Sequence, residues 1–129
     1  MPNEVVTAGG APAPAGPYSP ATLATGSRVL NISGQIAADA DGSVVGGEDP
    51  YEQARECLRK LDELLRAAGA SKTDVVRVGI FLTDIADRPA VAKARVEYFG
   101  DHRPAATLVA ISALVAPELK VEIEATAIF

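Results

Sequence analysis

Val75-Val76-Arg77-Val78-Gly79-Ile80-Phe81-Leu82 is the stretch on which the fold turns. A single charge in an otherwise apolar run rich in Val and Ile predicts a strand rather than a helix. Its near-continuous apolar character predicts burial on both faces, as in the interior of a sheet. Thr83-Asp84 ends it.

The segments on either side read as helices. Upstream, Asp49 is an N-cap, Pro50 takes the first helical position and Glu52 completes a capping-box pattern. Ala54, Leu58, Leu61, Leu65 and Ala68 recur at spacings of three and four, a stripe widened by Cys57 and Leu64. Gly69 closes this helix. Downstream, a second helix runs from Asp87 or Arg88 to Phe99 and stops at Gly100. Val91, Ala92, Ala94, Val96 and Phe99 supply its inner face.

Beyond the helices the pattern returns to strands. Pro104 turns a loop into a buried strand, Ala106 to Ile111, and residues at the mouth of such a strand point into clefts. After a loop carrying Pro117, a last strand alternates Val121, Ile123, Ala125 and Ala127 against Glu122, Glu124 and Thr126. Near the start, Ala21–Ala24 and Arg28–Ser33 flank Thr25-Gly26-Ser27 and read as a tight hairpin. Ser33-Gly34-Gln35-Ile36 follows, then a turn at Asp39–Ser43 and a strand end at Val44-Val45. Val5-Val6-Thr7 is a further short strand, and the Pro-rich Gly9–Pro17 segment is expected to run extended over the surface. This order specifies an α+β fold, one mixed β-sheet with two helices on one face. The uncovered face is expected to be buried by self-association.

A chain of 129 residues is expected to form one domain, residues 1–129, with its own core. It is 48% apolar and carries seventeen acidic against twelve basic residues, a net charge of −5. Phosphate binding needs clustered Lys and Arg, so no nucleic-acid partner is expected. The lone Cys57 excludes an intrachain disulfide and, with one histidine, a Cys/His zinc cluster within the chain. No metal or cofactor is expected. Cys57 reads as a small buried apolar residue rather than a nucleophile. No apolar run of about 18 residues is present for a membrane span. Met1-Pro2-Asn3-Glu4 lacks the basic and apolar regions of a signal peptide, so a cytoplasmic location is expected.

Gly16-Pro17-Tyr18, Ser33-Gly34-Gln35, Ala68-Gly69, Phe81-Leu82-Thr83-Asp84, Pro104-Ala105 and Val121-Glu122-Ile123-Glu124-Ala125 stand in an order and spacing that resembles the RidA/YjgF family. The resemblance covers essentially the whole chain. It implies a chorismate-mutase-like fold and a homotrimer with small-molecule clefts between subunits. The family's best-known members hydrolyse enamine and imine acids, such as 2-aminoacrylate and its imine tautomer, to keto acids and ammonia.

The resemblance also implies site residues. Tyr18 lines the cleft, the Ser33-Gly34 backbone faces the ligand, Thr107 replaces a serine and Glu122 is the water-holding acid. By pattern alone, alternating acids such as Glu122 and Glu124 on a strand are commonly solvated. The family normally reads Pro-x-Arg, followed by Ser or Thr, where this chain has Pro104-Ala105-Ala106-Thr107. The arginine grips the substrate carboxylate, and a methyl group cannot replace that contact. An asparagine common on the second helix becomes Ala92, and a cysteine becomes Leu108. Arg95 and Arg103 are the nearby cations; by position each reads as a solvated charge, and either is the candidate if another cation anchors the carboxylate. His102 reads as a surface histidine without a catalytic role.

The expectation is therefore a trimeric small-molecule protein without standard 2-imino acid deaminase activity, favouring neutral ligands. The alternative is an enamine/imine deaminase with a different carboxylate anchor. A ribonuclease or translation inhibitor ranks third, for want of basic surface, aromatic platform or acid–base pair.

Overall fold

The computed structural model describes residues 3–10 and 14–129. Val75–Leu82 is strand β4, labelled by its place in the chain after β1 (Asn3–Val6), β2 (Ala21–Ala24) and β3 (Val29–Ile36). It pairs in parallel with β5 (Ala105–Ala110) and antiparallel with β6 (Val121–Ile128), which pairs antiparallel with β3. The sheet order is β3-β6-β4-β5, mixed as expected. β5 starts one residue before the expected Ala106, and Ile111 continues its ladder by donating to Leu82 O at 2.8 Å.

Helices α1 (Pro50–Ala67) and α2 (Arg88–Phe99) share one core with the sheet. Leu58, Leu61 and Leu65 of α1 meet Val78, Ile80 and Leu82 of β4 and the buried residues of β6. Each such leucine contributes about 1.5–3 kcal/mol through burial. Asp49 caps α1 by accepting from Tyr51 N at 2.9 Å and Glu52 N at 3.4 Å. The capping box is half made, because Glu52 turns to Arg55 at 3.2 Å and Asp49 N donates to Gly46 O. Leu64 is exposed at 42%, outside the stripe, whereas Gln53 is fully buried. The Gln53 amide donates to Gly47 O and Glu118 O and accepts from Lys120 N, so every polar atom it buries is paired.

Burial on both faces of β4 is met on one face only. Arg77 is exposed, Phe81 half-buried, and Arg77 pairs with Glu124 of β6 at 3.2 Å across the helix-free face. The inner face of α2 also departs from expectation. Val96 is 40% exposed, while Arg95 is buried beside Val91, Ala94 and Phe99.

The hairpin between Ala21–Ala24 and Arg28–Ser33 does not form. β2 pairs with β1 in a separate two-stranded sheet, docked where Thr22 Oγ1 donates to Val76 O at 2.8 Å. Gly26 lies against the end of the chain, where an added Cβ would stand 2.9 Å from Phe129 N. Arg28 and Phe129 exchange backbone hydrogen bonds, so β3 pairs forward to β6. Of the Gly9–Pro17 segment, Ala11–Ala13 lie outside the described residues, and Pro14–Pro17 are exposed or half-buried.

Cys57 is fully buried, with Sγ 3.7 Å from Val121 O, and burial pushes its thiol up to about 12. Thiol labelling of the native protein is expected to be slow at neutral pH, limited by unfolding. Fast stoichiometric labelling would overturn this placement. Among the described residues, no helix is long and apolar enough to cross a membrane.

Candidate functional site

A cavity of about 560 Å³ lies between the first half of α2, the Gly16–Tyr18 segment and β5. A short 3-10 turn, Ile85–Asp87, leads into α2, with Asp84 accepting from Ala86 N at 2.9 Å. Pro89 opens the helix where no backbone donor is needed. The Gly16–Tyr18 segment is fixed by the next residue. Buried Ser19 donates its amide to Pro104 O at 3.1 Å and its hydroxyl to Arg103 O.

Four of the expected site residues meet here. Tyr18 lines the cavity and accepts a hydrogen bond from Ala15 N at 3.4 Å. Ala92 lines it from α2. Ala106 and Leu108, paired with Val78 and Ile80, line it from the core-facing side of β5.

The other four lie elsewhere. Thr107 is exposed and pairs with Gly79, on the opposite side of β5 from Ala106. Ser33 and Gly34 form a bulge in β3 between Ile32 and Gln35. The Glu122 side chain lies over Gly34, where an added Cβ would stand 1.8 Å from Glu122 Oε2. Only glycine leaves that space. Glu122 alternates with buried Val121 and Ile123, so it points to the helix-free face. Gly34 on β3 and Ala106 on β5 occupy opposite edges of the sheet, three strand spacings or about 14 Å apart. Within one chain the two groups of residues do not meet.

Sequence reasoning ranked Arg95 as a solvated charge, and the structure places it at 4% exposure on the cavity wall. Its Nη2 reaches Pro17 O at 3.5 Å, and its Nε is buried without a partner among the described residues. Burial, then the nearby Arg103 and Arg88, pull this guanidinium down to about 10, so it remains charged at neutral pH. Among the described residues, no ion pair involves Arg88, Arg95 or Arg103. A buried charge without a counter-ion costs on the order of several kcal/mol. The signal was in the spacing, because Arg95 falls four residues after Val91 and four before Phe99, on the inward stripe.

Arg103 and His102 are engaged elsewhere. Arg103 donates to Gly100 O and His102 O. His102 is half-buried rather than on the surface, its Nε2 2.7 Å from Val75 O. No cluster of His, Cys, Asp or Glu among the described residues is placed to hold a metal.

Fold and site together define a small α+β protein with a ligand-sized, cationic cavity. A family model described as Endoribonuclease L-PSP matches residues 8–129, and the chain belongs to that family, the RidA/YjgF group. It is 38% identical over 127 residues to the 3-aminoacrylate deaminase RutC of Acinetobacter baylyi, covering 98% of both chains. A RutC family protein of Pyrococcus horikoshii is 39% identical over 126 residues, covering 97% of both. Among solved structures, the Rid family protein YyfB of Yersinia pestis, of unknown function, aligns over 100% of both chains, with 35% identity and a TM-score of 0.89.

Proposed function

We propose that this chain assembles as a cytoplasmic homotrimer and hydrolyses a small enamine or imine in clefts between its copies. The observation that carries the reading is the separation of the two half-sites. The cavity of Tyr18, Ala92, Ala106 and Leu108 opens on one side of the sheet, and Gly34 with Glu122 faces the other. A second copy laid against the helix-free face would bring Glu122 of one chain to the cavity of the next, with Ser33 and Thr107 at the margin. The 38% identity to a 3-aminoacrylate deaminase supports the same chemistry.

In the completed cleft, water adds to the imine carbon as Glu122 takes its proton. That proton passes to the nitrogen to give a carbinolamine (an enamine first takes a proton on carbon to become the imine). As the C–N bond breaks, the hydroxyl proton moves to the nitrogen, leaving a carbonyl compound and ammonia. Simple 2-imino acids such as 2-iminopropanoate are expected to be poor substrates, since Ala106 leaves β5 without the family's guanidinium and a three-carbon body fills little of a cavity of about 560 Å³. The family's name also offers ribonuclease activity. A net charge of −5, and a single histidine engaged with Val75 O, weigh towards the small molecule.

Subunit complementation tests this. Glu122→Gln is expected to lose about 10²–10⁴-fold in ammonia release, and Ala92→Trp to plug the cavity. Each alone should be inactive. Trimers reassembled from an equal mixture should regain activity in about a quarter of their clefts, those pairing an intact cavity with an intact Glu122. A mixture that stays inactive while remaining trimeric would sink the shared cleft.

A further inference from the structure

We propose that Arg95, reaching from α2 beneath the Gly16–Tyr18 segment, is the anion anchor of this cavity and that the natural ligand carries a carboxylate on an apolar body. The inference rests on the cavity being the ligand half of the proposed cleft, and it names the ligand's class.

Four observations carry it. Arg95 is 4% exposed, yet among the described residues its Nε has no partner, and the hydrogen bond its Nη2 makes to Pro17 O is long at 3.5 Å. Arg88 lies two turns earlier on α2 and lines the same cavity, its Nη2 held by Ala15 O at 3.2 Å. The side chain between them on that face is Ala92, which leaves the space open. Across the cavity, Ala106 is too small to fill the volume that Arg95 faces.

Charge completes the picture. The protein is acidic overall, yet two guanidiniums line this cavity with no carboxylate among the described residues to pair with them. A guanidinium offers five donors in a planar fork that matches a carboxylate. A bound carboxylate would give the Arg95 guanidinium a partner and supply the missing counter-charge. Ala106 and Arg95 then form a complementary pair. The cavity keeps one buried guanidinium, supplied by the helix, and the strand position stays small because a second one there would meet the first as a like charge. Ile85, Pro89, Ala92 and Leu108 line one part of the wall with apolar groups, Tyr18 lies on another, and about 560 Å³ exceeds what a three-carbon acid fills. The body of the ligand is therefore an alkyl chain.

Calorimetry with stable analogues tests the anchor without requiring turnover. The probes are 2-oxohexanoate, its methyl ester and pyruvate. The natural protein is expected to bind 2-oxohexanoate at least tenfold tighter than the ester and tighter than pyruvate. Arg95→Met should weaken the acid by at least about thirtyfold and leave the ester within about twofold. Arg95→Lys, which keeps the charge but loses the fork, should fall between. The ligand-free Met variant should also melt higher than the natural protein, because an uncompensated buried charge has been removed. Equal binding of acid and ester to the natural protein, or unchanged acid affinity in the Met variant, overturns the anchor. Carboxylate binding intact in a protein that releases no ammonia would uphold the anchor and overturn the hydrolytic reading.

Discussion

Gly34→Ala is expected to cut ammonia release by about two orders of magnitude or more while leaving the fold intact. The new Cβ would stand 1.8 Å from Glu122 Oε2 and 2.6 Å from its Cδ, so the carboxylate must leave its seat. The backbone itself does not object, since Gly34 is not among the residues of positive φ. The penalty therefore falls on the position of one side chain. Melting temperature should shift little, and 2-oxohexanoate affinity should stay within a few-fold, because the anchor belongs to the other half-site. Undiminished turnover would show that the seat of Glu122 over Gly34 is not needed for the chemistry.

The second large effect is a transplant. Arg95→Met combined with Ala106→Arg is expected to recover most of the carboxylate affinity that Arg95→Met loses, to within about tenfold of the natural protein. Both positions wall the same cavity, one from α2 and one from β5, so either can present a guanidinium to it. Ala106→Arg alone should instead lower the ligand-free melting temperature by several degrees, as two cations crowd one buried space. Calorimetry and thermal melts of the three variants decide the matter. A double variant no better than Arg95→Met would mean that the position of the charge, not its presence, sets affinity.

The elements of this fold were legible where local chemistry speaks alone. Asp49 and Pro50 start α1 and Gly69 follows its end, and the Val121–Ala127 alternation holds residue by residue. Long-range pairing was not legible. Ala21–Ala24 and Arg28–Ser33 have hairpin spacing, but Gly26 serves the approach of Phe129 rather than a turn, so the partners were exchanged. Glu52 had two available partners, and Arg55 won over the helix cap. At the site, family resemblance supplied Tyr18, Gly34 and Glu122, and the structure divided that set by sheet face. Arg95 was read as solvated because helix cations usually are. Its position on the Val91–Phe99 stripe carried more information than its charge.

The sheet order carries a kinetic consequence. β6 lies between β3 and β4, and Thr126 meets Asn31 across a separation of 95 residues. Loops of that length close before any contact rewards them, which places such a topology among slow folders, on the order of milliseconds to seconds. Until β6 inserts, β3 and β4 have no strand between them and present bare edges to other chains. Glu122 rides on that same strand. Nucleation of the sheet and arrival of the Glu122 carboxylate are thus a single event, and a chain caught short of it is adhesive and, on the proposed chemistry, inert.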